Sequence, residues 1–396
     1  MTKKTPSIVR RQSPPGSVST PVVTPIYPSV AYDSGDPDQL DAQYDGSVAG
    51  YTYAREGHPN ATIVGQKIDW LEGLAENAGV GTVTGSGMSA VGALFLGLLE
   101  SGDHVLAGNQ LYGRSLRLLT RDLPRMGMSA TLTDPTDADA FLRALRPETK
   151  LILLEVVSNP TLRIADIERI ARGAQEHGVL LAVDNTFTTP RAYRPFDHGA
   201  NVVIHSLTKM LAGHTDATLG WIAADTQERN RSIYDACVTW GLTASPFDCW
   251  LAERGLNTFE LRFDRAQDNA VQLADALADM DGVQRVLYPG RSDHPDYERA
   301  QRLLGGRFGN MVSFCLKDDR DTANAFFRAA GNIAFAPTLG DVGTTFSHAA
   351  SSSHRGLSVD ERAALGISEG FVRVSVGCED IELLIREIRD ALATVT

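Results

Sequence analysis

From about residue 78 to residue 224 the chain alternates short apolar runs with amphipathic stretches. Apolar runs at 80–84, 104–107, 130–132, 151–156, 179–183, 202–204 and 219–223 predict strands. The stretches 88–99, 115–123, 138–146 and 164–176 between them predict helices. Such alternation predicts an α/β fold, a mainly parallel seven-stranded sheet with helices on both faces. Past Arg254-Gly255 the pattern changes. A long helical segment at 259–278 leads to shorter strands at 283–287, 310–315 and 371–376, and a helix at 380–393 follows. This part reads as a smaller α+β domain. The expected division is an N-terminal arm at 1–50, a large domain at 51–255 and a C-terminal domain at 256–396.

Composition narrows the function. The chain has 396 residues and a formal net charge of −12, which argues against generic nucleic-acid or anionic-membrane binding, since both need a basic surface. No apolar run approaches the roughly 20 residues of a membrane span. Residues 1–21 carry Lys3, Lys4, Arg10 and Arg11 but no apolar core, so they do not read as a secretory signal. They are rich in Pro, Ser and Thr and read as a flexible arm. Cys237, Cys249, Cys315 and Cys378 are widely spaced, with no CxxC pair, and indicate neither a zinc site nor a disulfide framework. A reduced, cytoplasmic setting is the expectation, and no metal is expected.

The candidate chemistry centres on Lys209. The apolar run 202–204 is followed by Ser206 and Thr208 at alternating positions, and then by the lysine. A lysine emerging at the end of a buried strand is partly desolvated, which lowers its pKa and makes it a usable amine nucleophile. A second apolar run, 179–183, ends in Asp184. Neighbouring strand ends carrying a carboxylate and a lysine flanked by hydroxyls suggest a pyridoxal 5'-phosphate (PLP) site. Lys209 would form the Schiff base, Asp184 would keep the pyridinium nitrogen protonated, and the hydroxyls would bind phosphate. Gly85-Ser86-Gly87-Met88 follows a strand and opens a helix, where free N–H groups favour an anion. The same segment matches G-x-G-x-x-A with Asp103 about twenty residues on, so a nicotinamide oxidoreductase is the competing reading, although such an enzyme has no use for Lys209. Taken singly, Asp184 could be a turn or cap residue, Arg55 and Arg373 surface charges, and Tyr112 packing.

Taken as an ordered set, these motifs resemble those of the Cys/Met-metabolism PLP enzymes, the group of cystathionine synthases and lyases, methionine γ-lyases and O-acetylhomoserine sulfhydrylases. The resemblance covers residues 50–394. It rests on Tyr53-Ala54-Arg55, Ser86-Gly87-Met88, Tyr112-Gly113, Ser158-Asn159-Pro160, Asp184-Asn185-Thr186, Ser206 to Lys209 with Gly213-His214, Arg254-Gly255-Leu256, and Arg373 to Glu379. It implies PLP fold type I. It also implies roles by position. Lys209 would bind PLP and shuttle protons, and Asp184 would pair with the ring nitrogen. Tyr112 would stack on the ring, and Asn159 would bond its hydroxyl. Ser86, Gly87, Met88, Ser206 and Thr208 would hold the phosphate. Tyr53 and Arg55 would reach the phosphate of a neighbouring subunit, so a homo-oligomer, expected to be a tetramer, would complete each site. Arg373 would clamp the substrate α-carboxylate, with Thr338 and Leu339 beside it.

The chain departs from that family at places that bear on substrate. Arg114 stands where methionine γ-lyases have cysteine and many other members glycine. It could pair with an anionic substrate group or lie idle at the entrance. Pro337-Thr338-Leu339-Gly340 replaces the Glu-Ser-Leu-Gly of cystathionine γ-lyases and γ-synthases, and Pro337 cannot attract the distal amine of cystathionine. Val157 replaces a usual proline, and Gly57 to Thr62 replaces a commoner Asn-Pro-Thr run.

The expected reaction is therefore γ-elimination, of the methionine γ-lyase type, on a γ-substituted L-amino acid through a vinylglycine-type intermediate. The alternatives are γ-replacement on an activated homoserine or on a γ-sulfonium substrate such as S-adenosylmethionine, and β-elimination from cystathionine or a cysteine conjugate. A catalytically silent PLP-binding protein is the remaining reading.

Overall fold

The computed structural model describes residues 18–395. All seven strands expected in the first half are present: β1 (Thr82–Thr84), β2 (His104–Gly108), β3 (Ser129–Thr133), β4 (Thr149–Glu155), β5 (Leu180–Asp184), β6 (Val202–Ser206) and β7 (Gly220–Ala224). They form one sheet in the order β1-β7-β6-β5-β4-β2-β3. Pairings from β6 through β5, β4 and β2 to β3 are parallel, whereas β7 runs antiparallel to both β6 and β1. The near-continuous apolar sequence of β4 (Thr-Lys-Leu-Ile-Leu-Leu-Glu) follows from its central place, where both faces are covered.

One face packs against helices Gly87–Leu98 and Gln227–Trp240 through residues such as Leu94, Phe95, Ile204, Ile222 and Ile233. The other face packs under helices Pro59–Glu72 and Ile167–Glu176. The stretch 115–123 does not form one regular helix. A turn of α-helix (Gly113–Arg117) widens into a π-turn (Leu118–Asp122) and tightens into a 3₁₀ turn (Leu123–Met126). Pro124 lacks the N–H that a continued α-helix would need, and Gly127 closes the segment at φ 84°. The helix expected at 138–146 is limited to Ala138–Leu142.

Helix Pro246–Leu256 ends where the pattern changes, and helix Phe259–Ala278 begins after two intervening residues. Beyond it lies a second sheet of five strands: β8 (Arg285–Leu287), β9 (Met311–Cys315), β10 (Ala334–Phe335), β11 (Thr345–His348) and β12 (Phe371–Ser375), in the order β10-β11-β12-β9-β8. Helices Phe259–Ala278 and Ile381–Leu392 cover one face through Leu273, Leu277, Leu384 and Ile388. The opposite face turns Ser313 and Arg373, register partners on β9 and β12, toward the first sheet, where Ser313 Oγ donates to Pro160 O at 2.7 Å.

The expected arm at 1–50 lies outside the described residues up to residue 17. From residue 18 it is largely exposed, with one short helix (Pro37–Tyr44). It is pinned where Trp250 Nε1 donates to Thr24 O at 2.9 Å, Tyr27 N donates to Asn60 Oδ1 at 2.9 Å, and Ala31 bridges to Tyr53. No helix among the described residues is long and apolar enough to cross a membrane.

Candidate active site

The C-terminal ends of β4 and β5 bring Glu155 and Asp184 side by side, and Ser206 ends β6 two residues beyond Ile204, the register partner of Asp184, at the carboxyl edge where open α/β sheets bind ligands. A tight turn after β6 then delivers Lys209, with Lys209 N donating to Ser206 O at 3.2 Å and Gly213 N donating to Lys209 O at 2.8 Å. Arg262 fixes this turn from below, its guanidinium donating to Met210 O (2.8 Å), Leu211 O (3.1 Å) and Gly255 O (2.9 Å). Gly213, at φ 74°, presses on that guanidinium so closely that a Cβ would stand 1.8 Å from Nη1. The strand end and turn partly bury the Lys209 amine, and this burial together with nearby Arg373 lowers its pKa from 10.5. Lys209 Nζ sits 3.5 Å from Thr338 Oγ1.

The segment carrying Thr338 rests on the lysine turn. Gly340 adopts φ 78°, and a Cβ there would lie 2.4 Å from Met210 N. Its own N–H donates to Ser375 Oγ at 2.8 Å, which ties the segment to β12. From β12, Arg373 donates through Nη1 to Asn159 Oδ1 (2.7 Å) and through Nη2 to Thr338 O (2.6 Å). Arg373 is 5% exposed, yet no carboxylate among the described residues pairs with it, and its Nε has no partner. Burial pushes its pKa down to about 10. A buried guanidinium without a counter-ion is costly and marks a place for an anionic ligand.

Asp184 accepts from Thr186 N at 3.1 Å, and Thr186 Oγ1 accepts from Ser206 N at 2.7 Å, so Thr186 stitches the ends of β5 and β6 together. Burial raises the Asp184 pKa; the Thr186 hydrogen bonds and His205 behind it oppose that rise. His205 and Glu72 form a fully buried contact, and Glu72 Oε1 also accepts from Asn185 Nδ2 at 2.8 Å. After β1, Ser86 caps helix Gly87–Leu98 by accepting from Ser89 N at 3.0 Å. Gly87 abuts Ser206, whose Cβ would lie 2.6 Å from any Cβ at position 87. Only glycine allows the helix start to come this close to the end of β6, and the N–H groups of Gly87 and Met88 are left at the open helix end. The Thr208 hydroxyl is engaged with Leu219, donating to its carbonyl (3.2 Å) and accepting from its N–H (2.9 Å).

The remaining expected residues lie around this cluster. Tyr112 is 41% exposed and lies near Arg373, and its N–H donates to Glu155 Oε1 at 2.7 Å. Gly113 packs under the Ser353 carbonyl. Leu339 is buried. Arg114 is exposed, and its side chain makes no hydrogen bond or ion pair among the described residues. Tyr53 and Arg55 stay with each other and with their surroundings: the Arg55 guanidinium lies 5.7 Å from the Tyr53 ring centre, donates to Val238 O at 3.2 Å and stands 3.4 Å from Glu56. Not foreseen from the sequence were Glu155, Thr186, Arg262 and His354, the last a buried imidazole within electrostatic reach of Arg373. Position at a strand end gave a signal for Glu155, whereas Arg262 and His354 reach the site only through the fold. The residues present fit PLP: a partly desolvated amine, a carboxylate at a strand end, a glycine-cleared helix start and a buried cation without a counter-ion.

Comparison with known proteins shows the family. The family model described as Cys/Met metabolism PLP-dependent enzyme matches residues 5–393. The chain is 37% identical over 345 residues to the cystathionine beta-lyase MetC of Bacillus subtilis, covering 87% of each chain. It is 38% identical over 354 residues to the O-succinylhomoserine sulfhydrylase of Pseudomonas aeruginosa, covering 89% of this chain and 86% of that one. Cystathionine and L-methionine gamma-lyases are also among its relatives. A solved structure of a putative O-acetylhomoserine (thiol)-lyase from Campylobacter jejuni, containing N'-pyridoxyl-lysine-5'-monophosphate, superposes with a TM-score of 0.88 at 28% identity, over 94% of this chain and 95% of that one.

Proposed function

The chain belongs to the Cys/Met metabolism PLP-dependent enzyme family, and on that premise we propose that it catalyses γ-elimination from a γ-substituted L-amino acid. Arg373 carries the reading of an α-amino-acid substrate: it is buried, charged and lacks a counter-ion next to Lys209 and Thr338. A substrate α-carboxylate fills that vacancy and orients Cα toward the lysine.

PLP, when bound, supplies an electron sink for negative charge developing at Cα or Cβ. Asp184, at the end of β5, would hold the proton of the ring nitrogen. Tyr112 would cover the ring face, and Asn159 would bond the ring hydroxyl. Ser86, Ser206 and the N–H groups of Gly87 and Met88 would take the phosphate, joined by Thr208 on release of its hydroxyl from Leu219 O. The Lys209 amine, with its lowered pKa, removes a proton from Cα and returns one as the leaving group departs. Tyr53 and Arg55, exposed on one chain, serve the site of a neighbouring subunit in a homo-oligomer. Pro337 favours elimination from a substrate with an apolar side chain, because the segment 336–340 offers no carboxylate to the distal amine of cystathionine.

A second reading, γ-replacement on an activated homoserine, is favoured by the O-succinylhomoserine sulfhydrylase at 38% identity. The test is to incubate the holoenzyme in turn with L-methionine, O-acetyl-L-homoserine, L-cystathionine and S-adenosylmethionine, assaying 2-oxobutyrate and ammonia. Release of 2-oxobutyrate without an added nucleophile is the expected result. A product that forms only when sulfide or a thiol is supplied would replace elimination by γ-replacement. Pyruvate as the product would replace it by β-elimination.

A further inference from the structure

Glu155 is a titratable group at the site that the proposed mechanism leaves unused. It ends β4, is the register partner of Asp184 on the adjacent parallel strand, and accepts from Tyr112 N at 2.7 Å. Residues in register on neighbouring parallel strands project to the same face, so the two carboxyl groups lie together. Two carboxyls sharing a partly buried edge do not both ionise, because each negative charge raises the cost of the other. Burial and the charge of Asp184 both lift the Glu155 pKa well above that of an ordinary carboxyl. Asp184, by contrast, has Thr186 and His205 to support its charge.

Resting on the assignment of Asp184 to the ring nitrogen, we propose that Glu155 is a neutral carboxylic acid and a positioning residue. One oxygen anchors the Tyr112 backbone, and the acid proton on the other is donated to Asp184. This gives the pair a single negative charge, carried on Asp184. It also ties the residue covering the ring face to the residue holding the ring nitrogen. No bond is made or broken in the reaction by Glu155 itself. The groups around the pair are Thr186 beside Asp184, His205 on β6, and Tyr112 with Arg373 on the open side.

The test uses E155A, E155Q and E155D beside the wild-type enzyme, with D184A as a control. Apoenzyme is titrated with PLP by tryptophan fluorescence, and circular dichroism of the bound cofactor reports its orientation. E155A is expected to bind PLP about tenfold more weakly, as for loss of one hydrogen bond to a charged group, and to lose much of the visible dichroism. E155Q, neutral and of the same shape, is expected to restore most of both. E155D keeps the acid but draws it one methylene away from Tyr112, and is expected to lose dichroism as E155A does. If E155A does not fold, the contrast between E155Q and E155D decides the matter. E155Q behaving like E155A would mean that the ionised carboxylate is needed, and would overturn the proposal. E155A indistinguishable from wild type would overturn it as well. Wild-type affinity in D184A would instead overturn the Asp184 assignment.

Discussion

Arg373 Nη1 donates to Asn159 Oδ1 across 2.7 Å and so joins the middle strand of the second sheet to the segment that leaves β4 in the first. Nη2 closes a second link, to Thr338 O at 2.6 Å. The planar guanidinium spans both contacts while keeping Nε free, and a lysine ammonium cannot reproduce that fork. Arg373→Lys is expected to raise KM for the amino-acid substrate roughly 10- to 100-fold with a smaller change in kcat, since a carboxylate is held equally before and during the reaction. Asn159→Ala removes the contact that positions Arg373 and also the side chain assigned to the ring hydroxyl, so it is expected to show a smaller rise in KM together with weaker PLP binding. Steady-state kinetics of both variants on the best substrate check this. A fall confined to kcat would place Arg373 elsewhere in the mechanism.

Gly113 illustrates how tightly the loop after Tyr112 is built. A Cβ there would stand 2.0 Å from Ser353 O, a backbone atom that moves only with its whole segment. Gly113→Ala is expected to push back the segment carrying Ser353 and His354, costing about 1–3 kcal/mol of stability as overpacking does. Thermal unfolding should show the loss. A melting temperature equal to wild type would mean that the segment moves freely.

Much of this was legible in the chain. The seven strands of the first sheet stood out because buried parallel strands are continuous apolar runs, as in β4, and Lys209 and Asp184 stood out because each follows such a run directly. The regularity of 115–123 was misjudged, because a helical period continues up to Pro124 while the backbone has already widened. β10 and β11 gave little signal: two and four residues are too short for a period to register. Arg262 and His354 were hidden for another reason. Each acts on a turn or side chain distant in sequence, and no local pattern announces a contact that only the packed fold creates.

His354 is 2% exposed, its Nδ1 meets Ser353 Oγ at 2.8 Å, and its Nε2 has no partner. Burial, with Arg373 and Arg362 adding like charge, pushes its pKa down to about 4. The unfolded chain therefore binds a proton at this residue below about pH 6.5, while the folded chain waits until about pH 4. Stability contributed by the neutral imidazole is complete above the unfolded value and is lost as the pH falls toward 4. Burial shifts His58, His104, His294 and His348 in the same direction, so the acid limb is steepened by all five. His354→Asn is expected to reduce the slope of unfolding free energy against pH by up to about 1.4 kcal/mol per pH unit between roughly pH 4.5 and 6. Denaturant unfolding at a series of pH values measures that slope; an unchanged slope would mean that the imidazole is accessible and ordinary.

Lys209 should oppose folding of the cofactor-free protein. Its amine is partly buried with Arg373 nearby and no carboxylate pairs with it among the described residues, so the folded state holds its proton less firmly than the unfolded chain does. At neutral pH the charged ammonium carries the full cost of that environment. The cost fades as the pH rises from the folded pKa toward 10.5, the value of an ordinary lysine. Lys209→Met keeps the length of the side chain and removes the charge. Apoprotein carrying it is expected to melt roughly 1–3 °C above wild-type apoprotein at pH 7, with the gap closing toward pH 10. Adding PLP should reverse the order, because only wild type can form the covalent link and gain stability by ligand binding. Melting curves of both proteins at pH 7 and pH 10, with and without PLP, measure all of these differences. A variant less stable than wild type in the apo state at pH 7 would show that the lysine is instead favourably paired in the fold.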